Sequence, residues 1–111
     1  MTADESIIER MYQVIEARKT ADPETSYTAR LFAKGTHKIA QKLGEEGVEA
    51  AIAAVAEGHE RLVRESADVM YHLLVLWSAK GVAPQEVWTE LERRFGPSGP
   101  AVKEIRKKTS S

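Results

Sequence analysis

Gly44-Glu45-Glu46-Gly47-Val48-Glu49 is answered further along the chain by Glu65-Ser66-Ala67-Asp68. Both stretches lie in helical hydrophobic periodicity, and a spacing of three on a helix keeps two side chains on one face. Glu46 with Glu49, and Glu65 with Asp68, are therefore expected to form two-pronged acidic clamps on neighbouring helices. Carboxylates disposed in this way have the composition of a divalent-metal site.

Working outward, a third helix is predicted from about His37 to Glu57, with Thr36 as its N-cap and Gly58 as its stop. A fourth runs from about Glu60 to Lys80 and stops at Gly81. Upstream, Asp4 reads as the N-cap of a first helix from about Glu5 to Lys19, striped by Ile7, Ile8, Met11, Tyr12 and Ile15. That helix ends ahead of Pro23. Ser26 or Thr25 caps a short second helix, Tyr27 to Lys34, which Gly35 closes. Pro84 suits the first turn of a fifth helix carrying Val87, Trp88, Leu91 and Phe95 and ending at Gly96. No stretch alternates with period two between turn residues, so no sheet is expected. The fold class is all-α: an antiparallel bundle of about five helices over residues 1–96. Residues 97–111, with the basic cluster Arg106-Lys107-Lys108, read as a loosely ordered C-terminal tail.

Projected at 100° per residue, Glu46 shares a stripe with Ile39, Leu43, Ala50 and Ala53, while Val48, Ile52 and Val55 form a second apolar strip. On the fourth helix Arg61, Arg64, Glu65, Asp68, His72 and Val75 lie in one band, and Val69 to Trp77 has almost no polar face. Helices this apolar need more cover than a small monomer supplies, so a homodimer through the third and fourth helices is expected to complete the core. Carboxylates within such surfaces need protons, basic partners or a metal. Mg²⁺, with Mn²⁺ as substitute, suits oxygen ligands and keeps waters that a phosphate can displace.

Composition narrows the alternatives. The chain is 42% hydrophobic and 30% charged, ordinary for a globular domain. A net charge of −1 argues against a nucleic-acid binder, and the lack of cysteine removes disulfides and thiolate chemistry. No apolar run is long enough to span a bilayer and no secretory signal precedes the first helix, so a cytoplasmic protein is expected.

The acidic pattern resembles the motif of the all-α nucleoside triphosphate pyrophosphohydrolases, the MazG-like superfamily. Within it the sequence is most similar to the phosphoribosyl-ATP pyrophosphohydrolases of histidine biosynthesis. The resemblance rests on Ser26-Tyr27-Thr28-Ala29-Arg30-Leu31-Phe32, Gly35, Lys42-x-Gly44-Glu45-Glu46, and the run from Glu65 through Tyr71-His72-Leu73-Leu74 to Leu76. It extends over about Glu5 to Phe95. Gly47 stands where the family more often has alanine, and Gln41 where a second lysine is common.

This resemblance implies Mg²⁺-dependent hydrolysis of phosphoribosyl-ATP at the α–β phosphoanhydride, giving phosphoribosyl-AMP and pyrophosphate, by a homodimer. It implies Glu46, Glu49, Glu65 and Asp68 as metal ligands, with Glu45 in or beside the ligand set. The expected chemistry is in-line attack by a metal-activated water, with Glu45 or Glu49 as general base. Tyr27, Thr28, Arg30, Lys34 and Lys42 are candidate substrate contacts, each weighed against a capping or solvated role. His72, one turn after Asp68, is expected to support the ligands rather than join them. Two other readings remain open at this point: a house-cleaning dNTP/NTP pyrophosphatase of the same superfamily, and a non-catalytic metal-binding dimerisation module.

Overall fold

A computed structural model describes residues 6–97. These form five helices: α1 (Ser6–Ala17), α2 (Tyr27–Lys34), α3 (Thr36–Ile52), α4 (His59–Lys80) and α5 (Pro84–Phe95). A 3₁₀ turn, Arg18–Thr20, extends α1, and a π turn, Ala53–Glu57, extends α3. Among the described residues there is no strand, as expected for an all-α chain. No described helix is long and apolar enough to cross a membrane. The expected Asp4 cap and the basic cluster of the tail lie outside the described residues.

The structure divides into two compact units, one ending at Gly81 and the other beginning at Val82. In the first, α3 and α4 pack antiparallel as a hairpin, α1 lies against α4, and α2 touches both α3 and α4. Ile15, Leu31, Ile39, Leu74 and Val75 make its core, one or two residues from each of the four helices. The far end of α1 is tied down by polar contacts. Lys19 Nζ donates to the Ser78 carbonyl at 2.8 Å and pairs with Glu16 at 2.6 Å, while the buried Ser78 hydroxyl also hydrogen-bonds Glu16. Bonds from Lys19 and then Ser78 hold the Glu16 carboxyl below its ordinary range.

The hairpin depends on glycine. At Gly58 φ is 117°, a conformation that side-chain-bearing residues rarely adopt. Its N–H closes the π turn on the Ala53 carbonyl at 3.0 Å, and its own carbonyl accepts from Leu62 N at 3.1 Å. One residue thus ends one helix and starts the next. Gly35, at φ 92°, does the same between α2 and α3. Thr36, expected as the α3 N-cap, is instead the first helical residue, because Gly35 leaves no room for a separate cap. The third helix was also expected to be α-helical to Glu57; its last five residues are π, with the extra residue accommodated just before the hairpin. Ser26 caps α2 as expected, accepting from Ala29 N at 3.1 Å.

In the second unit, Glu86 accepts from the Ala83 N–H at 2.9 Å and so caps α5. Glu90 pairs with Arg93 and Arg94 at 2.7 and 2.6 Å, which holds its carboxyl down to about 2. Of the expected apolar stripe, Val87 and Trp88 are half-buried whereas Leu91 and Phe95 are exposed.

Candidate active site

The α3–α4 hairpin carries Glu46 and Glu49 on one arm and Glu65 on the other. One carboxylate oxygen from each lies within 4.8 Å of the others. The three differ in setting: Glu46 is half-buried, Glu49 exposed and Glu65 only 5% exposed. Burial pushes the Glu46 carboxyl up, and Glu49 pushes it further; His72 opposes this, while Asp68 and Glu65 add to it. Asp68 is thus electrically coupled to the trio, yet it is exposed and not one of the three gathered carboxylates.

Two buried atoms at this cluster have no hydrogen-bond partner among the described residues: Glu65 Oε2 and His72 Nε2. The other Glu65 oxygen forms an ion pair with Arg61, whose Nε lies 3.1 Å away. His72 Nδ1 lies 2.8 Å from the Asp68 backbone carbonyl. A carbonyl only accepts, so Nδ1 carries the hydrogen, and in the neutral ring Nε2 is a bare lone pair. Leaving buried acceptors unsatisfied is expensive, and it is uncommon outside sites that a further group completes. An oxygen-rich trio with a free buried oxygen matches the donor set of a hard divalent cation. The residues present therefore fit such an ion.

Glu45 faces a different environment. It accepts from Gln41 Nε2 at 2.9 Å and pairs with Lys42 Nζ at 3.4 Å. These contacts, Gln41 first, hold its carboxyl low, and Glu45 in turn raises Lys42. Lys42 thus pairs within its helix with Glu45, not with Glu46 one turn on.

The start of α2 meets α4 beside the acidic cluster. Thr28 Oγ1 hydrogen-bonds the Tyr71 hydroxyl, and the Tyr27 ring stacks on Tyr71 with centroids 6.4 Å apart. Tyr71 meets His72 edge-on at 5.0 Å, and His72 also lies edge-on to Tyr27 at 6.4 Å. Burial raises the Tyr71 hydroxyl, partly offset by its bond to Thr28. Arg30 sits 5.7 Å above the Tyr27 ring and donates to the Pro23 carbonyl at 2.8 Å. Lys34 stands exposed in the last turn of α2. Of the candidate substrate residues, Tyr27 and Thr28 join the group around His72, whereas Arg30 is turned back onto its own loop.

Sequence reasoning gave no role to Tyr71 or Arg61. Both carried a signal: Arg61 precedes Glu65 by four residues, the spacing of an intrahelical ion pair, and Tyr71 follows Asp68 by three.

Because its carboxyl is raised, Glu46 is more readily protonated in the folded protein than in the unfolded chain. Its ionisation therefore removes stability as pH rises through the folded value, and this loss vanishes at low pH. We expect metal-free Glu46→Gln protein to melt above the unaltered protein at pH 7, with the difference closing below about pH 4. Calorimetry across a pH series checks this, and equal melting at pH 7 would contradict it.

Comparison with known proteins points to one family. The family model for phosphoribosyl-ATP pyrophosphohydrolase matches residues 8–95. A phosphoribosyl-ATP pyrophosphatase of Paramagnetospirillum magneticum is 56% identical over 108 residues, covering 97% of this chain and 99% of its own. Proteins of the same name from Rhodospirillum rubrum and Azospirillum brasilense are 56% and 53% identical. Each covers 92% of this chain, and 87% and 92% of its own length respectively. By family match and by identity over nearly its whole length, the chain belongs to the phosphoribosyl-ATP pyrophosphohydrolase family.

Proposed function

We propose that this protein is a cytoplasmic enzyme that hydrolyses phosphoribosyl-ATP to phosphoribosyl-AMP and pyrophosphate in histidine biosynthesis. Family membership supports the substrate. The observation that carries the site assignment is Glu65 Oε2, buried, unpartnered and belonging to a residue of the carboxylate trio. Glu46, Glu49 and Glu65, joined by Asp68, would hold Mg²⁺, with Mn²⁺ as a substitute. The chemistry such an ion supplies is neutralisation of phosphate charge and acidification of water.

The chain's own groups divide the remaining work. Water oxygen adds to phosphorus of the α–β anhydride, the bond to the bridging oxygen breaks, and pyrophosphate departs. Glu49 is favoured as acceptor of the water proton, since it is exposed and has no ion pair among the described residues. Glu45 is a poorer base, because Gln41 and Lys42 hold its carboxyl low. Lys42 and Lys34 supply positive charge for the polyphosphate, with Arg30 joining them once released from Pro23. Tyr27 and Thr28 line the approach. His72, bonded to the Asp68 carbonyl, fixes the turn of α4 that presents Asp68.

A homodimer is part of this reading. Val48, Ile52, Val55 and Val63 are exposed, Val55 by 90%, and a groove of about 370 Å³ runs along Val48, Ala51, Ile52, Val55 and Ala56. Apolar side chains in such a row favour a second copy over water. Val55→Glu is expected to shift the protein from dimer to monomer in sedimentation experiments; a monomeric unaltered protein would contradict the dimer.

The direct test of function is pyrophosphate release from phosphoribosyl-ATP, with and without Mg²⁺, beside ATP and a panel of dNTPs. Metal-dependent release from phosphoribosyl-ATP is expected, falling at least about a hundredfold in Glu46→Gln and Asp68→Asn with helicity unchanged. Equal turnover of dNTPs would replace the pathway enzyme with a house-cleaning pyrophosphatase. No release from any nucleotide would leave a non-catalytic metal-binding module.

A further inference from the structure

Arg61 stands one turn before Glu65 on α4. Its Nε lies 3.1 Å from Glu65 Oε1 and 3.3 Å from Glu57 Oε1. The guanidinium thus sits between two carboxylates of opposite character, with side-chain exposure of 6% for Glu65 and 42% for Glu57. Glu57 is the last residue of the π turn that Gly58 closes onto Ala53.

We propose that Arg61 is the internal counter-cation of the acidic site: it holds Glu65 while no divalent ion is bound and, by its charge, weakens the binding of one. This rests on the metal reading given above. A carboxylate as deep as Glu65, beside two others, is unfavourable without a positive partner. Arginine commonly grips a carboxylate through two parallel bonds, which would occupy both oxygens. Here one nitrogen pairs with Glu65 through one oxygen and is shared with Glu57, and Oε2 has no partner among the described residues. The side chain is held and its free oxygen remains available. A single positive charge at this distance from Glu65 opposes the arrival of a doubly charged ion, and a neutral side chain would not.

The test uses the full-length chain without nucleotide, comparing Arg61→Gln and Arg61→Lys with the unaltered protein. Mn²⁺ affinity is measured by titration calorimetry, and melting temperature with and without Mn²⁺. Arg61→Gln is expected to melt lower in the absence of metal and to bind Mn²⁺ about tenfold tighter. The melting difference then narrows in saturating Mn²⁺. Arg61→Lys, which keeps the charge, should stay within about threefold of the unaltered affinity. Unchanged affinity in Arg61→Gln would make the residue purely structural and overturn the proposal. Weaker affinity would overturn it also, making Arg61 a scaffold for Glu65 rather than an opposing charge. Should Arg61→Gln fail to fold, Glu57→Gln carries the test: Arg61 then serves Glu65 alone and Mn²⁺ should bind more weakly, whereas unchanged binding overturns the proposal. Absence of Mn²⁺ binding to the unaltered protein is a separate outcome, which removes the metal reading itself.

Discussion

Like charges repel, and the α3–α4 hairpin holds three carboxylates close enough for one ion to touch an oxygen of each. That arrangement has to be supported by everything around it. The Gly58 turn brings the two arms together without an intervening loop, and Ile39, Leu74 and Val75 supply the apolar contact that keeps them there. Burial of a core leucine or isoleucine contributes about 2 kcal/mol or more each, enough to offset a desolvated carboxylate only in part. The remainder of the electrostatic problem is visible in the raised carboxyl of Glu46 and in the bare oxygen of Glu65. Local rules are broken where function needs them broken.

The second support comes from α2. This short helix is fixed at its start by Ser26 and at its end by Gly35, and its first turn reaches α4 through Thr28 and Tyr71. Tyr27, Tyr71 and His72 then form an aromatic group beside the acidic cluster, joined to it by the His72 contact with the Asp68 backbone. The acidic residues and the aromatic or hydroxyl-bearing ones are thereby kept close together in one small unit. A nucleotide needs both kinds of surface, an ion-assisted one for its phosphates and a softer one for the rest.

Much of this was legible from residue order. Helical periodicity and the stops at Gly35, Gly58 and Gly81 located α2, α3 and α4 closely, because glycine punctuates a helix with little ambiguity. The inward stripe of Ile39, Leu43, Glu46, Ala50 and Ala53 was also readable, since angular position on a helix follows directly from spacing. The π turn was not. Ala53-Ala54-Val55-Ala56-Glu57 suits an α-helix as well as a wider turn, so residue order alone does not distinguish the two. Nor could spacing separate Glu45 from its neighbours: Lys42 and Gln41 are both near enough to several glutamates, and only side-chain geometry turns them toward Glu45. Asp68 is the subtler case. Its three-residue spacing from Glu65 places both on one broad face, but one faces the core and the other water.

The proposed site requires a divalent ion between the arms of the hairpin. Diffraction from crystals grown with Mn²⁺, recorded at a wavelength where manganese scatters anomalously, would test it most directly. We expect a single strong anomalous peak within about 2.3 Å of carboxylate oxygens from Glu46, Glu49 and Glu65, with Asp68 drawn toward it. A peak seated elsewhere, or none at these residues in saturating Mn²⁺, would contradict the claim.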